Sequence, residues 1–132
     1  MTRARGRTNE CSVVDARACL VDARQFLAAA ELLSEADNGD VVATNAIHAA
    51  IAASDVICCL RLGRRSSDGN HESAVALLEQ ASPEVAGQLR RALAHKQQAG
   101  YESRDLADRD ATFCVEAARR LVAAAESELQ KI

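Results

Sequence analysis

The stretch NAIHAAIAASDVICCLRLG, residues 45–63, decides the fold of this chain. It is apolar on nearly every side of a helix, apart from a thin polar stripe formed by Asn45, His48 and Asp55. A helix of this composition is buried, and a polar side chain on a buried helix needs a hydrogen-bonding partner. The segment therefore predicts a central core helix with three polar residues that require partners.

The composition around this segment favours a single helical domain. The chain has 132 residues, 48% of them hydrophobic and only 2% aromatic, and it contains one proline. Alanine dominates, and alanine is the best helix former. The net charge of −3 is not typical of a protein that binds duplex DNA, since such domains are usually basic. A local basic patch is still compatible with this charge. No segment reads as a signal peptide, and the polar stripe favours a core helix over a membrane span. We therefore expect a cytoplasmic protein with no membrane partner.

Hydrophobic periodicity and capping signals predict an all-α, up-and-down bundle of four to five helices over residues 12–132, after a flexible tail at 1–11. No strand is predicted. Gly39 is expected to end the first helix in the left-handed conformation and Asp40 to cap the second. Asn70 and Ser82 are expected to cap the next two helices, and Phe113 to face the core. The predicted helices are residues 12–36, 41–62, a third helix that Asn70 caps and that includes residues 74–78, then 83–98 and 106–129.

The cysteines predict no metal site. Their number is odd, no C-x-x-C pair exists, and the adjacent Cys58 and Cys59 point about 100° apart on a helix. A structural zinc site needs four well-spaced ligands. We interpret the cysteines as small buried hydrophobes in a reducing compartment, and we expect no cofactor. The five are Cys11, Cys19, Cys58, Cys59 and Cys114.

A basic loop follows the central helix and contains the first candidate ligand-binding residues. Arg61, Arg64 and Arg65 precede the helix that opens near His71. Guanidinium groups beside the free N–H groups of a helix start suit a phosphate. Cations at the negative end of the preceding helix are the structural alternative. His48 and Asp55 could line the same pocket, or they could form a polar network that fixes helix register.

A second cationic segment lies near residues 90–101. Arg91 and His95 are one helical turn apart, Lys96 follows, and Tyr101 lies after the Gly100 break. Tyr101 could equally be a half-buried anchor with a hydrogen-bonded hydroxyl. The chain has no phosphate-binding loop of the G-x-x-x-x-G-K type, no G-x-S-x-G elbow and no H-E-x-x-H motif. Those enzyme classes are discounted.

The order of these segments resembles the HEPN superfamily, closest to its small bacterial members. The resemblance lies in ARQFLAAAELL, NAIHAAIAASDVICCLRLG, the histidine of DGNHESAVALL, the segment KQQAGY and the last helix, ATFCVEAARRLVAAA. It covers nearly the whole chain from about Ser12. It implies a bundle of four or five helices, commonly dimeric. Many members are metal-independent ribonucleases, often toxins neutralised by a partner such as a minimal nucleotidyltransferase.

The family's activity rests on an arginine and a histidine four to six residues later. The best register puts Lys96 and Tyr101 at those places, and lysine lacks the bidentate fork while tyrosine is a poor acid–base group at neutral pH. A second register, Arg90 with His95, keeps the spacing but lies one turn too early. The resemblance thus implies His95, Lys96 and Tyr101 as candidate catalytic residues. The candidate ligand-binding residues are His48, Asp55, Arg61, Arg64, Arg65 and His71.

Two functions follow as expectations. The first is a HEPN-type protein that binds RNA or a nucleotide, as a toxin–antitoxin component or a degenerate ribonuclease, with an antitoxin or nucleotidyltransferase as partner. The second is a non-catalytic module that dimerises or docks a protein partner. Whether the chain is an enzyme stays open, since the Arg/His motif is not intact.

Overall fold

A computed structural model describes residues 7–33, 39–94 and 108–132 of the chain. Five helices lie within these residues. They are α1 (Val13–Leu33), α2 (Gly39–Leu62), α3 (His71–Ala81), α4 (Pro83–Leu93) and α5 (Asp108–Gln130). Two short strands, β1 (Thr8–Glu10) and β2 (Arg64–Ser66), pair in antiparallel fashion. The all-α class is confirmed, and the small sheet was not predicted.

Helix α2 is the centre of the core, as residues 45–63 predicted. It packs against α1 and α5, and its alanines allow the backbones to approach closely. Ile47 and Ile57 are among the largest fully buried side chains. Helix α1 runs antiparallel to α2, since Phe26 contacts His48 while Cys19 lies near Asp55, two turns further along. By length and composition α2 could cross a membrane, and 61% of that apolar window is buried inside the bundle.

The predicted end of the second helix at residue 62 and the predicted starts of the third and fourth helices agree with the structure, whereas α2 begins two residues earlier than predicted and α4 ends at Leu93, five residues before its predicted end. Three further predictions differ from the structure. Gly39 is the first residue of α2 and is buried, so it does not end α1 in a left-handed conformation. Ser82 occupies the N-cap position of α4, but its hydroxyl donates to the Glu84 carboxylate at 2.7 Å and caps no backbone N–H. Phe113 is 36% exposed, so the predicted inward seam of α5 consists of its smaller residues. Predictions on residues 34–38 and 95–107 lie outside the described part.

The sheet forms because α2 ends abruptly. Gly63 has a φ of +72°, a left-handed conformation that suits glycine, and the chain turns straight into β2. The Gly63 carbonyl then accepts a 2.9 Å hydrogen bond from the Cys11 N–H, which holds β1 alongside. The register pairs Thr8 with Ser66 and Glu10 with Arg64. Residues 8–10, predicted as tail, therefore form a paired strand.

The cysteine interpretation is correct for three residues and wrong for two. Cys19, Cys58 and Cys114 are buried and free. Cys11 and Cys59 form a disulfide, with their Cα atoms 5.3 Å apart. The pairing exists because the β1–β2 contact places the start of α1 against the last turn of α2. Sequence spacing alone could not indicate it, because the partners are 48 residues apart and belong to different elements.

Candidate functional site

An open cavity of about 510 Å³ lies between the sheet and α3. Two arginines, Arg7 and Arg64, provide its positive charge, and Glu72 provides a negative one. The remaining described lining is mostly small and polar. It consists of Thr8, Ser66, Asn70, Ser73, Ala76, Leu77 and Gln80. Guanidinium and hydroxyl groups around an open cleft are suited to hold the oxygens of an anion.

The turn between β2 and α3 fixes the mouth of this cavity. Asp68 is its organiser: one carboxylate oxygen accepts the Arg7 N–H at 3.1 Å, and the other accepts the Asn70 N–H at 3.0 Å. These bonds lower the pKa of Asp68, the Asn70 N–H most strongly. The Asn70 side chain then caps α3 by accepting the Ser73 N–H at 3.1 Å, as the sequence predicted. The backbone of Arg7 is thereby tied to the start of α3.

The two arginines of the cavity have few internal partners. Arg64 donates from Nη2 to the neutral Oε1 of Gln80 at 3.2 Å. Arg7 is exposed, and within the described part of the chain its side chain forms no ion pair. Their charges are therefore available to a ligand. Arg7 was missed from the sequence because it lies in the segment predicted as a tail.

The structure does not bring the three predicted loop arginines together. Arg61 donates from Nε and Nη2 to both oxygens of Glu128, at 2.9 and 2.6 Å, and from Nη1 to the Ala81 carbonyl at 2.7 Å. It ties α2 to α5 and to the end of α3 and is not part of the described cavity lining, so its ligand-binding role stays a prediction. This pairing with Arg61 is the main reason that the pKa of Glu128 is lowered to about 2.

Arg65 points away from the cavity, into the bundle. Its Nη1 donates to the Sγ of Cys19 at 2.9 Å. Asp55 lies nearby: burial raises the pKa of this carboxyl to about 6, and the charge of Arg65 opposes that rise. The predicted proximity of Asp55 to the basic loop is therefore correct for Arg65, but the two form part of the interior and do not line the cavity.

The other stripe residues are satisfied locally. Asn45 donates to the carbonyl of Val41 in its own helix at 3.0 Å. His48 is exposed, and its ring lies 5.1 Å from that of Phe26 in α1. Neither has a described contact with the basic loop, and neither His48 nor Asp55 is part of the described cavity lining. That these two residues line a ligand pocket stays a prediction.

Of the remaining candidates, the structure describes His71 and Arg90 but not the predicted catalytic residues. His71 opens α3 as predicted, but it is not part of the described cavity lining. Arg90 donates to Glu79 at 2.8 Å across the α3–α4 pair. The candidate catalytic residues His95, Lys96 and Tyr101 lie outside the described residues. Among the residues that the structure does describe, no three His, Cys, Asp or Glu side chains form a group able to hold a metal ion.

Comparisons with known proteins add no assignment to this geometry. No family model matches the chain, and no curated protein is similar enough to count as a match.

Proposed function

We propose that the chain is a HEPN-type helical bundle that binds a phosphate-bearing ligand, RNA or a nucleotide, in the cavity between the sheet and α3. The observation that carries the proposal is the pairing of Arg7 and Arg64 across one open polar cleft. Arg7 directly precedes β1 and Arg64 begins β2, so strand pairing sets their separation. The order of helices and the position of His71 at the start of α3 agree with the resemblance.

Binding is favoured over cleavage. The described lining contains arginines, hydroxyls and amides but no histidine. The described lining therefore contains side chains that can bind a phosphate. It does not contain an imidazole, the group that usually transfers protons at neutral pH. A ribonuclease activity would depend on His95 or on Lys96 with Tyr101. Expression in the host should then arrest growth, and His95→Ala or Tyr101→Phe should relieve the arrest.

The decisive experiment is a binding titration with a short single-stranded RNA and, separately, with a nucleoside triphosphate at several salt concentrations. Affinity should fall as salt rises, because each neutralised phosphate releases counterions. Arg7→Ala and Arg64→Ala should each weaken binding by about tenfold and reduce the salt slope for RNA by roughly 0.7. Arg120→Ala is the matched control, since Arg120 is exposed on α5 and outside the described lining. Equal losses in the control and the two variants would overturn the proposal.

Glu72 supplies a test of opposite sign. Its carboxylate lies in the first turn of α3 and lines the cavity, where it opposes the approach of an anion. Glu72→Gln should therefore strengthen phosphate binding by a factor of about two to five, which corresponds to the roughly 0.4 to 1 kcal/mol expected for one partly exposed charge. A weaker affinity would instead indicate that Glu72 contacts the ligand directly.

The setting is proposed on the resemblance alone. We propose a cytoplasmic component of a toxin–antitoxin pair, with an antitoxin or nucleotidyltransferase encoded beside it. The disulfide argues against the compartment, because such bonds are rare in reducing cytoplasm. Thiol alkylation of Cys11 and Cys59 in protein quenched directly from cells decides this point, and the identity of the neighbouring gene decides the partner.

The second candidate function is a dimerising interaction module without a phosphate ligand. An exposed apolar face on α1 favours it. In that case partner affinity should be indifferent to Arg64→Ala and Arg65→Ala.

A further inference from the structure

The solvent side of α1 carries a regular apolar line. Val14 is 75% exposed, Val21 51% and Leu32 73%. Together with the exposed Ala18, Gln25 and Ala28, these three residues recur along the helix at alternating steps of four and three. This is the spacing of a coiled-coil seam. We name this set the α1 stripe. It consists of Val14, Ala18, Val21, Gln25, Ala28 and Leu32.

The stripe is separate from the packing of the bundle. Ala16, Ala23 and Ala30 are fully buried and lie on the opposite side of the same helix, where α1 contacts its own core. Helix α1 thus has two apolar faces, one used internally and one open to solvent. A surface helix needs only the first for folding. The second face is therefore available to a partner outside the bundle.

We propose that the α1 stripe binds the same stripe of a second copy of this chain, forming a parallel, in-register helix pair about a two-fold axis. The proposal is independent of the phosphate cavity, because the α1 stripe shares no residue with the cavity lining. In this arrangement each stripe residue meets its own counterpart. Ala18 and Ala28 leave room for close backbone approach, and the larger Val14, Val21 and Leu32 fill the layers between them.

Charge complementarity selects the parallel orientation. Arg17 and Asp22 flank the stripe on its two sides, and both are exposed. Neither forms an ion pair within the described bundle. In a parallel pair a flanking residue faces the residue five positions later on the other helix, so Arg17 faces Asp22 of the second copy, twice by symmetry. An antiparallel pair about the same centre would set Asp22 against Asp22.

The polar position of the stripe selects the same register. Gln25 is the one polar member, and in a parallel pair it faces Gln25 of the second copy. Two facing amides can donate and accept at once, so both are satisfied. In the antiparallel pair Gln25 would face Val21 and lose its partner. A single polar residue at such a position fixes register at a cost in stability, as buried asparagines do in two-stranded coiled coils.

The area of contact sets the expected strength. The stripe spans 18 residue steps, or about 27 Å of helix. One helix pair of this length provides a small interface, at the weak end of specific complexes. We therefore expect a micromolar dimer that dissociates on dilution.

Sedimentation equilibrium over a concentration series tests the proposal. The wild-type chain should show a concentration-dependent monomer–dimer equilibrium. Val21→Asp should weaken it by about a hundredfold or more, because the charge is buried beside its own copy. Ser127→Asp, which adds the same charge at an exposed position of α5, should not change it. Circular dichroism verifies that each variant is folded.

A charge exchange tests the register. Arg17→Asp and Asp22→Arg should each weaken the dimer, and the double variant should restore it, since the ion pairs then form with reversed signs. In an antiparallel pair the double variant would set two guanidinium groups at position 22 against each other, and affinity would not recover. A wild-type chain that stays monomeric throughout the series, or a Val21→Asp variant with unchanged affinity, overturns the proposal. Phosphate-ligand binding by Val21→Asp should equal that of wild type, which separates this failure from that of the proposed function.

Discussion

The two faces of β2 differ in what their arginines contact. Arg65 faces the interior, where it donates to Cys19 and lies close to the half-buried Asp55. Arg64 faces the open cavity, where its described partner is the neutral amide of Gln80. Successive side chains of a strand point to opposite faces, so two adjacent arginines of similar chemistry are separated by the backbone itself. The inner arginine serves the fold, and the outer one is available to a ligand.

Arg61 extends this comparison into the last turn of α2. It has three hydrogen bonds to fixed partners on other elements. Like Arg65, it is committed to the structure. The basic residues of this segment therefore differ in role: some form hydrogen bonds within the fold, and others face the open cavity. The backbone conformation at each residue decides which of the two it does. The predictions below test that division.

The largest expected effect on stability comes from the disulfide that anchors β1 beside β2. The Cys11–Cys59 disulfide closes a loop across 48 residues and anchors β1 beside β2. The double variant Cys11→Ser/Cys59→Ser should lower the free energy of unfolding by about 3 to 4 kcal/mol, through the greater conformational freedom of the unfolded chain. Urea unfolding followed by far-UV circular dichroism measures it. Reductant should destabilise the wild type similarly and leave the double variant unaffected; a wild type indifferent to reductant would contradict the prediction.

Asp55, which lies beside the inner arginine of β2, should contribute more to stability at low pH than at neutral pH, the opposite of an ordinary paired carboxylate. The folded-state pKa of Asp55 is raised to about 6 from an ordinary 3.8 by burial. Between these values Asp55 binds more protons in the folded state than in the unfolded state, so its contribution to stability falls as pH rises from 3.8 to 6 and is then constant. The loss is at most about 3 kcal/mol. Asp55→Asn should remove this slope and be more stable than wild type at pH 7.

Unfolding curves collected at intervals from pH 4 to 7 check that prediction. Glu116→Gln is the control, since Glu116 is exposed on α5 and its replacement removes one carboxylate without touching β2. The control should keep the wild-type slope. If the difference in stability between wild type and Asp55→Asn did not change over this interval, Asp55 would be held as a carboxylate, and Arg65 would then dominate over burial.

The next effect concerns Arg61, the committed arginine of α2. Its hydrogen bonds keep the pKa of Glu128 near 2, below the ordinary 4.5, so the pair stabilises the fold above pH 4.5 and loses that contribution as pH falls towards 2. Arg61→Ala should cost about 2 kcal/mol at pH 7, a value reduced for the 35% exposure of its side chain. The difference from wild type should shrink in acid.

Arg24→Ala is the matched control for that measurement. Arg24 pairs with Glu126 at 2.7 Å, but the two side chains are 55% and 37% exposed. Such surface pairs contribute at most about 1 kcal/mol. Thermal unfolding of both variants at pH 7 and pH 3 compares them, and equal losses in the two would contradict the assignment of Arg61 to the structure.

Sequence reasoning reached the helices because their signals are local. The periodicity of α2, the Asn70 cap and the proline at the start of α4 each act within a few residues. It did not reach the sheet, because Thr8–Glu10 and Arg64–Ser66 have no strand-like composition and are held by each other and by Gly63. Without the sheet, the alternation that separates Arg64 from Arg65 could not be seen. Arg7 and the disulfide were missed for the same reason.

The smallest expected effects on stability come from replacing Arg65 or Arg64, and they compare the two faces of β2 directly. Arg65→Ala removes the donor to Cys19 and the positive charge beside Asp55, so it should raise the pKa of Asp55 further and lower stability by about 1 kcal/mol. Arg64→Ala should leave both the pKa of Asp55 and the stability close to wild type, the latter within about 0.5 kcal/mol, because its described partner is one neutral amide at the surface. Carboxyl-carbon NMR titration of Asp55, with unfolding curves for both variants, measures the two quantities. Phosphate binding should respond in the opposite order, strongly to Arg64→Ala and weakly to Arg65→Ala. If both variants lost stability and binding together, the strand would act as one unit, and the division between a structural and a ligand-facing arginine would fail.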